Sequence, residues 1–173
     1  MNELRPHPVP DGAQARPQPP TQPEERPFPG ANWSANPCFG CGPDNPHGLK
    51  LTFHLEEGRA VARFHPQEVH QGFAGTLHGG LLATLLDEAL IWALVLRGVW
   101  AHTARLNIRY RRPVPMDTTL VVTGELVRNR GRSLLAHGRV SDEAGTTYAE
   151  AEGLFFRMPD EVRDSLWQRY GIS

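Results

Sequence analysis

A helix that is apolar on every side has to be surrounded by the rest of its chain, and residues 76–98, TLHGGLLATLLDEALIWALVLRG, spell out such a helix. Its apolar run, Leu81 to Leu96, is sixteen residues long and holds two acids. That is too short and too charged to cross a bilayer. The pattern therefore predicts a helix from His78 to about Arg97, stopped by Gly98 and enclosed within a folded domain. Two features exceed what enclosure requires. The first turn contains Gly79 and Gly80, and the middle contains Asp87 and Glu88.

The flanking sequence supplies the material that surrounds the helix. Leu49 to Leu55 (LKLTFHL) alternates apolar and polar residues, the mark of a half-buried strand. Glu57-Gly58 reads as a turn into a second strand, Arg59 to Phe64. Four more strands are expected after the helix: His102 to Arg111, Thr118 to Arg128, Arg132 to Val140 and Thr146 to Arg157. Gly or Pro punctuates each boundary. The order predicts an α+β domain, one antiparallel sheet of five to six strands wrapped around one long central helix. A sheet covers one side of a helix and leaves its own edges open, so a homo-oligomer is expected.

Composition places this domain within the chain. Residues 1–36 hold nine prolines and almost no aliphatic side chains. Such a segment buries too little apolar surface to offset its ordering entropy, so 1–35 is expected to be a disordered leader. The domain is expected over 36–159, with a tail over 160–173 that has the pattern of a short helix. A net charge of −1 argues against nucleic acid as a partner. The leader has no apolar core of the kind a secretory signal needs, and no stretch suits a membrane span. A cytoplasmic protein is the expectation. The two cysteines, Cys38 and Cys41, are half of a zinc motif. His47 is the one nearby third donor, so no metal is assigned, and CFGCG reads as a tight turn.

Asp87 has no Lys, Arg or His one turn away on its own helix. It is therefore either desolvated or partnered from elsewhere, Arg105, Arg109 and Arg111 being structural candidates. Glycines in a first turn leave the helix-start N–H groups open to a ligand oxygen, as in an oxyanion hole; close packing is the alternative. His78 and Asp87 are nine residues apart, about two and a half turns and roughly 13 Å along the axis. They point opposite ways. Joint chemistry would require the helix start of one subunit to meet Asp87 of another.

The segments HGGLLATLLDEA, TARLNIRYRRPVP, GRVSDEAGTTYAEAEGLFF and CFGCGPDNPHGLKL together resemble the hotdog-fold acyl-CoA thioesterases of the phenylacetate-degradation (PaaI-type) group, over about Asn36 to Pro159. The resemblance implies hydrolysis of an acyl-CoA at a subunit interface, with no cofactor beyond the coenzyme A of the substrate. It implies Asp87 as general base or nucleophile and Gly79 and Gly80 as polarisers of the thioester carbonyl. His78 would shape that turn, and Thr103 would orient the water. Where several relatives carry a polar amide, this chain has Gly72 preceded by His70 and Gln71, which are candidates to substitute in substrate binding. Arg111, Arg112, Arg130 and Arg132 sit at strand ends and turns, where they could reach the phosphates of coenzyme A; ordinary surface charge is the alternative for any one of them. Phe73, Trp92 and Trp100 are candidates for an acyl tunnel or for core. The alternative function is a non-catalytic acyl-CoA sensor on the same fold. A hotdog dehydratase is disfavoured, because its motif is not visible.

Overall fold

The computed structural model describes residues 36–170; the leader expected over 1–35 lies outside the described residues. Six strands form one antiparallel sheet in the order β1-β2-β4-β5-β6-β3. They are β1 (His54–Glu56), β2 (Arg59–Phe64), β3 (Ala101–Tyr110), β4 (Leu120–Arg130), β5 (Ser133–Asp142) and β6 (Thr147–Arg157). The central helix α1 spans Gly79–Val95, and a second helix, α2, spans Asp160–Tyr170. The predicted α+β architecture, one long helix against a six-stranded sheet, is the one observed.

Register explains how the sheet accepts a helix at such short range. Ala60 pairs with Gly124, Gly124 with Gly138, and Gly138 with Ala151, so a row of small residues crosses four strands. The helix backbone lies on this row. A Cβ on Gly124 would come 2.1 Å from the Ala89 carbonyl oxygen, an overlap that no side-chain adjustment relieves. Two residues along, Ala62, Val122, Val140 and Ala149 make the next inward row, all fully buried. Leu85, Leu86, Leu90 and Leu94 fill the space above it, each worth about 1.5–3 kcal/mol of burial. Trp92 stacks on Phe53 at 5.9 Å, and Trp100 meets Trp167 of α2 edge-on at 6.5 Å. Both tryptophans are buried core residues, whereas Phe73 stands 89% exposed on the loop before α1.

The helix ends where glycine permits. Gly98 has φ 71°, and the N–H groups of Gly98 and Val99 bond to the carbonyls of Val95 and Leu94, closing the last turn. The first predicted strand is much shorter than its alternation suggested. Leu49, Leu51 and Phe53 are buried as the pattern requires, but Leu49 N–H donates to Phe39 O (2.8 Å) and Leu51 N–H to Gly40 O (2.9 Å). The CFGCG turn takes the bonds that a neighbouring strand would have taken. The strand expected to end at Arg128 runs on to Arg130, and the turn into β5 is centred on Gly131 at φ 66°. Among the described residues, no helix is long and apolar enough to cross a membrane.

Candidate active site at the start and middle of the central helix

His78 is the N-cap of α1, and its Nδ1 accepts the Gly80 N–H at 3.0 Å. The ring therefore carries its proton on Nε2. Gly80 leaves room for the ring, since a Cβ would stand 2.9 Å from His78 Cε1 and displace it. The Leu81 and Leu82 N–H groups bond to the His78 carbonyl. The Gly79 N–H is left without a partner among the described residues, at an exposed helix start where the dipole is positive. Sequence reasoning offered both glycine amides to a ligand. The structure divides them: Gly80 secures the cap, and Gly79 presents the donor. Tyr110, which sequence reading did not single out, donates its hydroxyl to Gly79 O at 3.1 Å and ties the helix start to the end of β3.

Asp87 is half-buried on the same helix, and Thr103 Oγ1 donates to its Oδ1 at 2.9 Å. Burial raises the Asp87 pKa, and the Thr103 hydroxyl opposes that rise. Its other carboxylate oxygen has no partner among the described residues. The arginine partners considered from sequence are not used. Arg111 is bound to Glu150 at 2.6 Å, and no arginine pairs with Asp87 or Glu88 among the described residues. A desolvated carboxylate held by one hydroxyl is a proton acceptor in waiting.

The loop ahead of the helix is engaged in its own construction. His70 Nδ1 accepts the Gln67 N–H (2.9 Å), and its ring packs on Phe64 at 5.2 Å. Gln71 Oε1 accepts the Gly75 N–H at 2.7 Å, and the His70 carbonyl accepts the His78 N–H. Gly72 lies so close to His78 that a Cβ would stand 3.0 Å from its Cα. These residues fix the position of His78; one polar side-chain atom of each is used within the loop, and His70 Nε2 and Gln71 Nε2 have no partner among the described residues. The arginines divide by sheet end. Tyr110 pairs with Ala149, whereas His102 pairs with Phe156, which pairs with Ser133, which pairs with Arg130. Arg111 and Arg112 thus lie at the helix-start end of the sheet, and Arg130 and Arg132 at the Thr103 end.

Glu88 points elsewhere. Its Oε1 accepts from Cys38 Sγ at 3.3 Å, fifty residues away in the chain. Burial pushes its pKa up to about 8. A hydrogen bond from Cys41 lowers the pKa of the Cys38 thiol, with the Cys41 thiol raised in turn. His47 is not part of this group.

A profile described as the thioesterase superfamily matches residues 74–149, from the loop before α1 to the start of β6. A PaaI phenylacetic acid degradation protein from Thermus thermophilus, solved as a point mutant, is 30% identical with a TM-score of 0.58. The match spans 64% of this chain and 95% of that one. The chain belongs to the thioesterase superfamily. Another superfamily member of known structure is 31% identical, with a TM-score of 0.65, over 68% of this chain and 62% of its own. Among curated proteins, acyl-coenzyme A thioesterase THEM4 of Bos taurus is 38% identical over 107 residues, 61% of this chain and 44% of that protein. This superfamily member thus spans about half the length of the curated relatives it matches. The Cys38–Cys41 turn lies outside the profile match.

Proposed function

We propose that this protein hydrolyses an acyl-CoA to the free acid and coenzyme A, in an active site shared by two copies of the chain. The observation that carries the reading is the division of labour along α1. Its start presents one free amide, Gly79 N–H, and its middle presents one desolvated carboxylate, Asp87, held by Thr103. Thioester hydrolysis needs those two groups, an electrophilic polariser for the carbonyl and an activator of water. Curated relatives bearing the name acyl-coenzyme A thioesterase support the same reaction.

The two groups are about 12 Å apart along the helix and do not meet in one chain. Strand β3 suggests how they come together. It is an edge strand of ten residues, mostly exposed, with Thr103 beside Asp87 near one end and Tyr110 beside Gly79 at the other. Two such edges pairing antiparallel set the Gly79 end of one copy beside the Asp87 end of its partner. The same pairing gathers Arg111 and Arg112 of one copy near Arg130 and Arg132 of the other, a cationic surface for the phosphates. Exposed Phe73 (89%) and Val69 (83%) lie on the loop that such a partner would cover. In this reading Asp87 takes a proton from water or attacks directly. Thr103 positions the carboxylate, and the helix-start amide receives the developing oxyanion. Cys38 and Cys41, not joined in a disulfide, suit a cytoplasmic setting.

The test is thiol release from a panel of aryl- and fatty-acyl-CoAs, wild type against Asp87→Asn. Release that is lost in the variant supports the reading and names the acyl class. Tight acyl-CoA binding with no release by the wild type would replace it with the sensor reading.

A further inference from the structure

We propose that Cys38, Cys41 and Glu88 bind one zinc-class divalent cation, with the fourth coordination position left to water. Their donor atoms, two thiol sulfurs and one carboxylate oxygen, all lie within 4.8 Å of one another. In a tetrahedral zinc site, bond lengths of about 2.3 Å to sulfur and 2.0–2.2 Å to oxygen put neighbouring donors about 3.6–3.8 Å apart. The Cys38 Sγ to Glu88 Oε1 distance is 3.3 Å, so the existing cluster needs only small side-chain adjustments to enclose an ion.

The backbone is shaped for this. The Gly42 N–H bonds to Cys38 O at 3.0 Å and winds Cys38-Phe39-Gly40-Cys41 into a single turn, which puts the two sulfurs on one side. That is the C-x2-C spacing of thiolate zinc sites. Gly40 lets the turn press onto the helix, since a Cβ there would stand 2.3 Å from Glu88 Cδ. Gly42 lets it close, since a Cβ would stand 2.4 Å from Asn36 O. A second layer is present too. The buried Asn36 accepts the Cys38 N–H on Oδ1 (3.1 Å) and turns its Nδ2 toward Cys41 Sγ (3.6 Å). Outer groups of this kind orient metal ligands. Glu88 forms no ion pair among the described residues, so its oxygens are open to a ligand, and a bound cation would supply the counter-charge its ionised form needs beside two sulfurs. Two thiols with one carboxylate favour zinc over calcium or magnesium. The bound ion would clamp the segment before β1 onto α1, on a side of the helix that Thr103 and Gly79 do not occupy.

The full chain, reduced with a phosphine and stripped with a chelator, is titrated with Co2+ and then Zn2+. The expected result is a thiolate-to-cobalt charge-transfer band that saturates at one equivalent and is displaced by one equivalent of Zn2+. Cys38→Ser and Cys41→Ser should lose the band. Glu88→Gln should weaken binding at least about tenfold, and Asn36→Ala by a factor on the order of ten. His47→Ala should bind as wild type does; loss of binding there would overturn this ligand set. Zn2+ should also protect both thiols of the wild type from a thiol reagent, a measurement that needs no variant to fold. Absence of the cobalt band, or equal thiol reactivity with and without Zn2+, overturns the proposal.

Discussion

Asp87 and Glu88 are consecutive residues of one helix, yet they belong to two different regions of the molecule. A step of about 100° around α1 separates them. Asp87 turns toward β3, a regular strand at an open sheet edge, and receives a single hydroxyl. Glu88 turns toward the irregular segment ahead of β1 and meets two thiols. Burial raises the pKa of both carboxyls. The partners differ, and with them the chemistry we propose: an oxygen donor leaves a carboxylate available to take a proton, whereas sulfur neighbours would complete a ligand set. Residue type and burial alone do not separate these roles. Direction around the helix does.

The largest effect should come from the Asp87 side. Asp87→Asn keeps the shape and the Thr103 contact but removes the proton acceptor, so acyl-CoA hydrolysis should fall by about 10²–10⁴-fold. Melting temperature should not fall, because the change also removes a desolvated charge. Slightly smaller is the effect of Gly79→Pro. Gly79 is the first helical residue, where proline is well accommodated, and His78 before it is extended at ψ 129°. The substitution deletes one N–H and little else, so kcat should fall by about 10²–10³-fold with the helix intact by circular dichroism. These two variants also test the shared site. Mixed and allowed to exchange subunits, each inactive alone, they should regain about a quarter of wild-type activity, because half the dimers then hold one intact site. No recovery despite verified exchange would place both groups at one chain's own site.

A third variant separates positioning from chemistry. Thr103→Val removes one hydrogen bond to a charged group, about 1.5 kcal/mol, so kcat should drop about tenfold with KM little changed. Thr103→Ser should restore most of the loss. Equal changes in kcat and melting temperature, with no rescue by serine, would reduce Thr103 to a structural strand residue.

The sequence carried most of the Asp87 side and little of the Glu88 side, for a physical reason. Periodicity reports which residues are buried and in what local geometry, and α1, β2 and the four strands after the helix follow it closely. The opposed directions of His78 and Asp87 follow from helical geometry alone, and the proposed two-copy site is built on them. Long-range pairings leave no such periodic trace. Cys38 and Glu88 are fifty residues apart, and nothing local in CFGCG or LLDEA points from one to the other. The same gap hid Tyr110, which reads as an ordinary strand residue until β3 is laid along α1. It also explains β1: Leu49, Leu51 and Phe53 alternate as a strand would, but the partner that takes up the backbone bonds of Leu49 and Leu51 is a turn.

The smallest expected effect on hydrolysis is that of Glu88→Gln, and it tests the comparison most directly. Glutamine keeps an oxygen for the Cys38 thiol and the length of the side chain. It removes a carboxylate whose ionisation burial already disfavours. Hydrolysis should therefore stay within about threefold of wild type, while the response to zinc changes. A ligand present at about 100 times its Kd stabilises a fold by about 2.7 kcal/mol, so wild type should melt higher with zinc than without it, and Glu88→Gln should show a smaller rise. A loss of hydrolysis as large as that of Asp87→Asn, with the fold intact, would break the separation. The two neighbouring carboxylates would then act as one unit across the helix, and the cysteine turn would have to be counted as part of the active site.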